Sequence, residues 1–193
     1  MTGTIVLIGP AAAGKSTLGE LVAARLGAPF VDIDEIAWPY YGQTGWDLDR
    51  LLRRIDAVGR VAAEREWEPA RAHAVEQALA DHAGAVIALG AGHTSYTDPS
   101  CALRVRTALS RAGDVVLLLP SPDPRRSVAL LRERSIADKD TDWIRDGHDF
   151  LAEWVAEPLN HAVRTRVVYT EGLTPEQAAA RIDVLGSAPS HAG

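Results

Sequence analysis

The residues best placed to do chemistry form one short loop near the start of the chain. The segment Gly9-Pro-Ala-Ala-Ala-Gly-Lys-Ser-Thr17 directly follows the apolar run Thr4–Ile8. Glycines in such a loop let several backbone N–H groups turn toward nucleotide phosphates, while Lys15 reaches the β and γ oxygens and the Ser16 hydroxyl ligates Mg²⁺. The predicted phosphate-binding residues are Gly9, Ala12, Ala13, Gly14, Lys15, Ser16 and Thr17. This P-loop pattern predicts that the chain binds a nucleotide.

Lysine usage singles out the same loop. The chain has 20 lysine and arginine residues, of which only Lys15 and Lys139 are lysines. A sequence that otherwise uses arginine has kept a lysine where a phosphate-binding loop needs one. The alternative is a strand-to-helix turn that binds nothing, but the complete motif between an apolar strand and a helical pattern favours phosphate binding.

Two acidic residues mark the end of the second apolar run, Phe30–Ile33. Because side chains alternate across a strand, Asp32 and Asp34 are expected to project on the same side. At the carboxyl end of a parallel strand, Asp32 can hold a Mg²⁺-bound water and Asp34 can orient or deprotonate an attacking hydroxyl. The predicted catalytic residues are Lys15, Asp32 and Asp34, with Ser16 and Asp32 at the metal. The alternative is a carboxylate pair that only caps backbone amides.

A loop of small residues, Gly90-Ala91-Gly92-His93, follows the third apolar run. Open α/β sheets bind ligands at this edge, and small residues let the backbone approach a substrate closely. His93 can donate to a substrate oxygen or transfer a proton, although a histidine in a loop can also be merely packed or solvated. Tyr96 and Asp98 in the same loop are weaker candidates.

Strands and helices alternate along the chain, which predicts an α/β fold with a parallel sheet covered by helices on both faces. The predicted strands are Thr4–Ile8, Phe30–Ile33, Ala85–Leu89, Asp114–Leu119 and Arg166–Tyr169. The predicted helices are Ser16–Leu26, Leu48–Ala62, Trp67–His82, Ala102–Arg111, Pro124–Ser135, Asp149–Ala162 and Pro175–Leu185. We predict a single domain over residues 1–185 and a flexible tail over 186–193, where Ser, Ala, Pro and Gly prevail.

Two segments fit this alternation poorly. Residues 35–66 carry an aromatic cluster that includes Trp38 and Tyr41, and we interpret them as an acceptor-binding insert. Residues 136–147 are charged and are interpreted as a lid that excludes water, with Lys139 and Arg145 stabilising the transferred phosphoryl group. The alternative interpretation is that both segments are ordinary surface loops. Just before the lid, Arg132 and Arg134 can stack on a nucleotide base or neutralise phosphate, or serve only as surface cations.

Composition limits the partners. The chain has 193 residues, 47% hydrophobic content and a net charge of −6, which argues against wide contact with nucleic acid or an anionic membrane. Its single cysteine excludes an internal disulfide, and the first residues lack a signal-peptide profile. The expected protein is cytoplasmic and acts on a small molecule, as a monomer or a homodimer.

Taken together, these motifs resemble shikimate kinase over most of the chain. The resemblance runs from the P-loop through Gly27-Ala-Pro-Phe-Val-Asp-Ile-Asp34 and Val86-Ile-Ala-Leu-Gly-Ala-Gly92 to Val168-Tyr-Thr-Glu-Gly-Leu-Thr-Pro-Glu-Gln177. It implies a nucleoside-monophosphate-kinase-like fold, a five-stranded parallel sheet in the order 2-3-1-4-5, an acceptor-binding insert, a lid, and ATP with Mg²⁺. It also implies that Asp34 contacts the acceptor hydroxyl, that Asp32 holds the metal water, and that Gly90, Ala91 and Gly92 lie at the substrate.

The acceptor side departs from the resemblance. Shikimate kinases place a phenylalanine and then an arginine, which binds the substrate carboxylate, where this chain has Trp67-Glu68. Arg65 or Arg71 could substitute for that arginine only by reaching in from another position. Ala91 interrupts the glycine triplet, which His93 follows, and the usual lid signature is absent. The predicted substrate-binding residues are Asp34, Trp38, Tyr41, Glu68, Arg71, Gly90, Ala91, Gly92 and His93. Trp67, Trp143 and Trp154 are expected to be packing residues.

The function that fits best is ATP- and Mg²⁺-dependent phosphorylation of a hydroxyl on a small metabolite. The expected acceptor is an amino sugar, cyclitol, nucleoside or specialised metabolite rather than shikimate. Two alternatives stay open, a nucleoside or nucleotide kinase and a non-catalytic nucleotide-binding regulatory module.

Overall fold

A five-stranded parallel sheet forms the centre of the protein. The computed structural model describes residues 3–186. The strands are β1 (Ile5–Ile8), β2 (Phe30–Asp32), β3 (Val86–Ala88), β4 (Asp114–Leu119), β5 (Ile144–Arg145), β6 (His148–Asp149) and β7 (Arg166–Tyr169). The main sheet has the order β2-β3-β1-β4-β7, and β5 and β6 form a separate antiparallel hairpin. The predicted parallel sheet and its 2-3-1-4-5 order are confirmed.

Apolar strands at the centre of the sheet explain its burial. In β1, Ile5 lies in register with Val86 of β3 and with Asp114 of β4. Val6 and Leu7 are fully buried, as expected for a strand that is covered on both faces. The sheet therefore fixes the edge at which the loops after β1, β2 and β3 meet.

Helices cover the sheet and build the acceptor side. They are α1 (Lys15–Leu26), α2 (Ile33–Gly42), α3 (Leu48–Val58), α4 (Arg60–Asp81), α5 (Pro99–Leu109), α6 (Pro124–Lys139), α7 (Phe150–Ala156), α8 (Pro158–Val163) and α9 (Pro175–Gly186). A short 3₁₀ helix spans Ala91–Thr94. The segment interpreted as an insert is thus mostly helical.

Several predicted helix boundaries differ from the structure: α6 continues to Lys139, into the segment predicted as the lid, and α5 begins at Pro99. Of three further differences, two have a local reason. The predicted helix 48–62 ends at Val58, because Gly59 adopts φ 84° and ψ 163°. The next helix begins at Arg60 instead of the predicted Trp67 and continues through Pro69. The single helix predicted over 149–162 is two helices, because Pro158 has no backbone N–H to continue α7 and instead begins α8.

The ends of the chain limit two expectations. The division into a domain over 1–185 and a flexible tail over 186–193 stays a prediction, since residues 187–193 lie outside the described range and α9 includes Gly186. Between residues 3 and 186, no helix has both the length and the apolar character needed to cross a bilayer.

Candidate active site

The P-loop joins β1 to α1 in a shape that depends on glycine. Gly9, Ala12 and Gly14 have positive φ values of 134°, 60° and 88°. A Cβ on Gly9 would lie 2.5 Å from the Leu118 carbonyl oxygen, so a side chain there would collide with β4. This backbone forms the concave, left-handed type of turn that binds phosphate through N–H groups.

Lys15 extends over the same loop. Its Nζ donates to the carbonyl oxygens of Gly9 at 2.9 Å and Pro10 at 2.7 Å. Burial lowers the pKa of Lys15 to about 8, and the charge of Asp34 partly opposes that shift. A phosphate beside this ammonium would favour its charged form.

Asp32 links the P-loop to the acceptor side. The Ser16 hydroxyl donates to Asp32 Oδ2 at 2.5 Å, and Asp32 Oδ1 accepts from the Asp34 backbone N–H at 3.0 Å. Asp32 is the N-cap of α2, so β2 ends there and Asp34 lies in the first helical turn. The expectation that strand alternation aligns the two carboxylates was therefore wrong, yet both line the cleft because the cap turns the chain there.

The residues of this loop fit the cofactors that the resemblance implies. The Ser16 hydroxyl and the Asp32 carboxylate supply the hard oxygen atoms that Mg²⁺ prefers, and they already lie together beside the phosphate loop. Within residues 3–186 no group of three or more His, Cys, Asp or Glu side chains forms a metal cluster of its own. Magnesium would thus be held here mainly with the phosphates of the nucleotide.

A cleft of about 700 Å³ extends from this loop to α2, α4 and the β5–β6 hairpin. The predicted residues that line it are Ala12, Gly14, Lys15, Ser16, Thr17, Asp32, Asp34, Trp38, Tyr41, Arg71, Gly90, Ala91, Gly92, His93, Lys139 and Arg145. Gly9 and Ala13 support the loop from behind and are not among the lining residues. Arg132 and Arg134 also do not line it, and Arg132 instead pairs with Asp149 at 2.5 Å.

Glu68 is not brought into the cleft. The side chain is 2% exposed, and its carboxylate accepts three hydrogen bonds of 2.8 Å, from the backbone N–H and hydroxyl of Thr97 and from the backbone N–H of Asp98. Its oxygens hold the loop before α5. The expected substrate contact is corrected to a structural role, because the buried Glu68 does not line the cleft and its carboxylate binds the loop before α5.

Arg71 takes the cleft-facing position on the same helix. Its guanidinium donates to the Gly92 carbonyl at 2.5 Å and to the Glu64 carbonyl at 3.0 Å. The Glu64 carboxylate lies 3.7 Å from Arg71 and 2.5 Å from Arg60. Glu64 therefore offsets part of the charge of the two arginines, and this group keeps a net positive charge at the acceptor end of the cleft.

Sequence reasoning missed Arg60 and Glu64, although a signal was available. With Trp67 and Arg71, they recur at the spacing that places residues on one helix face. The predicted start of the helix at Trp67 hid that pattern. Asp138, Thr141 and Phe150 also line the cleft and were not singled out.

Aromatic side chains form two walls of the acceptor end. On one side Trp38 stacks on Trp67 with ring centroids 6.0 Å apart, and Tyr41 meets Trp67 edge-on at 4.8 Å. On the other side Trp143 meets Trp154 at 5.1 Å. The tryptophans expected to be packing residues do pack on one another, but they also line the cleft.

His93 lies between these walls and Asp34. Its Nε2 is 2.6 Å from the Tyr41 hydroxyl, and its Nδ1 is 3.9 Å from Asp34 Oδ1. Burial, followed by the nearby Arg71 charge, lowers the pKa of His93 to about 3. The imidazole is therefore neutral in the physiological pH range.

The predicted lid segment reaches the acceptor side directly. In the turn between β5 and β6, Asp146 Oδ2 accepts a hydrogen bond from the Val61 backbone N–H at 3.0 Å. Gly59 caps α4 and offers no side-chain acceptor, so Asp146 provides it from the hairpin. Lys139 and Arg145 thereby face the P-loop across the cleft.

The fold and the cleft together define a P-loop kinase. The sequence profile described as shikimate kinase matches residues 11–182. The chain belongs to the shikimate kinase family. It is 32% identical to a Streptomyces coelicolor shikimate kinase over 184 residues (90% of this chain and 89% of that protein) and 29% identical to one from Francisella tularensis subsp. holarctica over 188 residues (95% and 94%).

Solved structures support the same fold. Shikimate kinase from Acinetobacter baumannii in complex with shikimate has a TM-score of 0.67 at 22% identity, covering 96% of this chain and 93% of that chain. A gluconokinase from Sinorhizobium meliloti has a TM-score of 0.52 at 18% identity, covering 95% of each. The chain is an ATP-dependent small-molecule kinase with an alcohol acceptor and uses ATP and Mg²⁺, which confirms the predicted enzyme class and cofactors.

Proposed function

We propose that this kinase phosphorylates a hydroxyl on a small, ring-bearing alcohol without a carboxylate, and that shikimate is not its acceptor. The charge pattern of the acceptor end carries the proposal. Among the described cleft residues, the arginines already donate to protein oxygens: Arg60 to Glu64, Arg71 to Gly92 and Glu64, and Arg145 to Thr141 and Asp142. A carboxylate that bound here would have to compete with these partners, and among the described arginines that line this end of the cleft only Arg71 has a buried N–H, its Nε–H, without one.

The walls of the cleft support a ring-shaped acceptor. Trp38 stacks on Trp67, Trp143 packs against Trp154, and all four side chains line the cleft. Aromatic faces bind flat rings by stacking and sugar or cyclitol rings through their C–H faces. A nucleoside falls within this class, whereas a nucleotide acceptor would need free arginines for its own phosphate.

The roles of the catalytic residues follow from their positions. Asp34 orients the acceptor hydroxyl and takes its proton, and Lys15 stabilises the negative charge on the transferred phosphoryl group. When bound by Ser16 and Asp32, Mg²⁺ supplies further charge neutralisation. Lys139 and Arg145 line the same cleft from the lid segment and would add to this charge stabilisation when the lid closes over the nucleotide.

Acceptor-dependent ADP release from Mg²⁺-ATP tests the proposal. The panel contains cyclitols, amino sugars, nucleosides, nucleoside monophosphates, gluconate and shikimate. We expect the highest kcat/KM with an uncharged or amine-bearing ring alcohol, and loss of that activity in Asp34→Asn. A highest kcat/KM for shikimate or gluconate would overturn the proposed acceptor, as would ATP binding without turnover for every alcohol.

A further inference from the structure

The Tyr41–His93 hydrogen bond couples the tautomer of the imidazole to the phenol proton. Both side chains are buried, at 3% and 4% exposed, and the Tyr41 oxygen lies 2.6 Å from His93 Nε2. Burial, reinforced by the Asp34 charge, raises the pKa of Tyr41, so the phenol keeps its proton. When the phenol donates that proton to Nε2, the neutral imidazole carries its own proton on Nδ1.

The surroundings of His93 keep that imidazole neutral. Asp34 and Tyr41 face it from α2, Glu64 and Arg71 from α4, and Lys15 from the P-loop. Burial has the largest effect, and with the charges of Arg71 and Lys15 it outweighs Glu64 and the hydrogen bond to the Gly90 backbone, so the pKa is lowered to about 3. With Tyr41 donating to Nε2, His93 is a hydrogen-bond donor at Nδ1 and not a proton acceptor.

A gap for one oxygen atom separates this donor from Asp34. His93 Nδ1 and Asp34 Oδ1 are 3.9 Å apart, which is too far for a mutual hydrogen bond. A single oxygen can nevertheless lie about 2.8 Å from both. Gly90 lets the two groups come this close, because a Cβ there would collide with Asp34 Oδ1 and lie 2.7 Å from His93 Nδ1.

We propose that the Nδ1–H of His93 binds the same acceptor oxygen that Asp34 deprotonates, and that Tyr41 is a positioning residue that holds the imidazole in the required tautomer. The inference rests on the proposed function, because it needs a hydroxyl acceptor. One group donates and the other accepts, so the pair selects an oxygen that can do both. A protonated amine has no lone pair for His93, and the site therefore distinguishes the reacting hydroxyl from an ammonium group on the same molecule.

In this arrangement, one proton moves during phosphoryl transfer. The hydroxyl proton passes to Asp34 while the oxygen forms a bond to the γ-phosphorus of ATP. The bond from that phosphorus to the bridging oxygen breaks, and its electrons remain on ADP. His93 keeps its proton throughout and holds the attacking oxygen in line.

Nitrogen NMR of the ¹⁵N-histidine-labelled full chain, without nucleotide or acceptor, tests the tautomer. We expect His93 to show a neutral ring with the proton on Nδ1 from pH 5 to 8. In Tyr41→Phe the ring should become a mixture of tautomers, because the donor to Nε2 is gone. A proton on Nε2 in the wild-type chain, or a His93 titration between pH 6 and 7, would overturn the proposal.

Kinetics with the ring alcohol that gives the highest ADP release in the panel test the contact. His93→Asn places an amide N–H near the position of Nδ1, whereas His93→Gln places one near Nε2. We expect His93→Gln to lose about 10–100-fold in kcat/KM for the alcohol, His93→Asn to retain most of it, and the KM for ATP to stay within about twofold in both. His161→Ala, an exposed histidine on α8, serves as the control.

Equal losses in the asparagine and glutamine variants, or a parallel rise in the KM for ATP, would show that His93 only supports the fold. If no alcohol in the panel is phosphorylated, the proposed function fails by itself. The NMR result still decides the arrangement of Tyr41 and His93 in that case.

Discussion

The phosphate end and the acceptor end of the cleft differ in whether their cationic side chains are paired with carboxylates. At the phosphate end Lys15 meets only carbonyl oxygens within hydrogen-bond distance, so its full charge is available to a nucleotide. At the acceptor end the Glu64 carboxylate pairs with both Arg60 and Arg71. The first end recognises its ligand by charge, and the second is left to recognise a ring by shape, stacking and a few directed hydrogen bonds.

Removing the charge at the phosphate end gives the largest expected effect. Lys15→Met should lower kcat by about 10²–10³-fold, because the transferred phosphoryl group loses a preorganised cation. ADP release measures the loss, and thermal unfolding shows whether the fold is kept. Lys139→Met is the matched lysine control in the lid segment and should cost less. A larger loss of kcat in Lys139→Met than in Lys15→Met would indicate that Lys139, and not Lys15, is the main cation at the transferred phosphoryl group.

Filling the gap at the acceptor end comes next. Gly90 has φ −61° and ψ 152°, which alanine adopts readily, so Gly90→Ala adds only a methyl group between Asp34 and His93. We expect kcat/KM for the alcohol to fall about 10²-fold through displacement of the reacting groups, with nucleotide affinity within about twofold.

Gly42→Ala is the control, since a Cβ at Gly42 meets no atom within 4 Å. Titration calorimetry with ADP and the kinetic assay together separate the two ends of the cleft. Weaker ADP binding in Gly90→Ala, matching its kinetic loss, would contradict the separation.

The structural role of Glu68 predicts a loss of stability without a change in acceptor binding. Glu68→Ala leaves the N–H groups of Thr97 and Asp98 unpaired and should reduce the free energy of unfolding by about 2–3 kcal/mol. Glu68→Gln keeps one carbonyl acceptor and should cost less. Urea unfolding measures both. A tenfold rise in the KM for the alcohol with no change in the free energy of unfolding would indicate that Glu68 contacts the substrate.

The smallest effect is a pH dependence from His93. Its pKa is near 6.5 in an unfolded chain and is lowered to about 3 in the folded one. Between these values the unfolded state binds a proton that the folded state does not, so stability falls as the pH falls. From pH 6.5 to 5 this contributes a loss of about 1.5 kcal/mol. Over the same pH interval, the free energy of unfolding of His93→Gln, measured with urea, should fall by about 1.5 kcal/mol less than that of the wild type. The same dependence of unfolding free energy on pH in both proteins would contradict a neutral buried imidazole.

The phosphate end could be predicted from sequence because its signal is local. A contiguous motif between a strand and a helix fixes the positions of Lys15 and Ser16. The acceptor end depends on how α4 is rotated and where it begins. Glu68 and Arg71 are three residues apart, and only the packed helix decides that Arg71 faces the cleft while Glu68 faces the loop before α5.

For the two aspartates, the sequence predicted the location but not the structural reason for it. Asp32 and Asp34 were expected at the site and do line it, but a helix cap places them there rather than strand alternation. A capping carboxylate and a catalytic one look alike in sequence, and Asp32 is well placed for both tasks. The sheet order, in turn, came from the resemblance, because pairing between distant strands leaves no local pattern.

The aromatic walls also contain most of the tryptophans of the chain, which are its main fluorophores. Four of the five tryptophans, Trp38, Trp67, Trp143 and Trp154, line it. The fifth, Trp46, lies beneath the Arg50 guanidinium, 4.4 Å from its ring centroid, and away from the cleft. Most of the intrinsic fluorescence of the chain therefore arises where ligands bind, so that emission spectra of the unlabelled wild-type protein can follow nucleotide and alcohol binding in one titration.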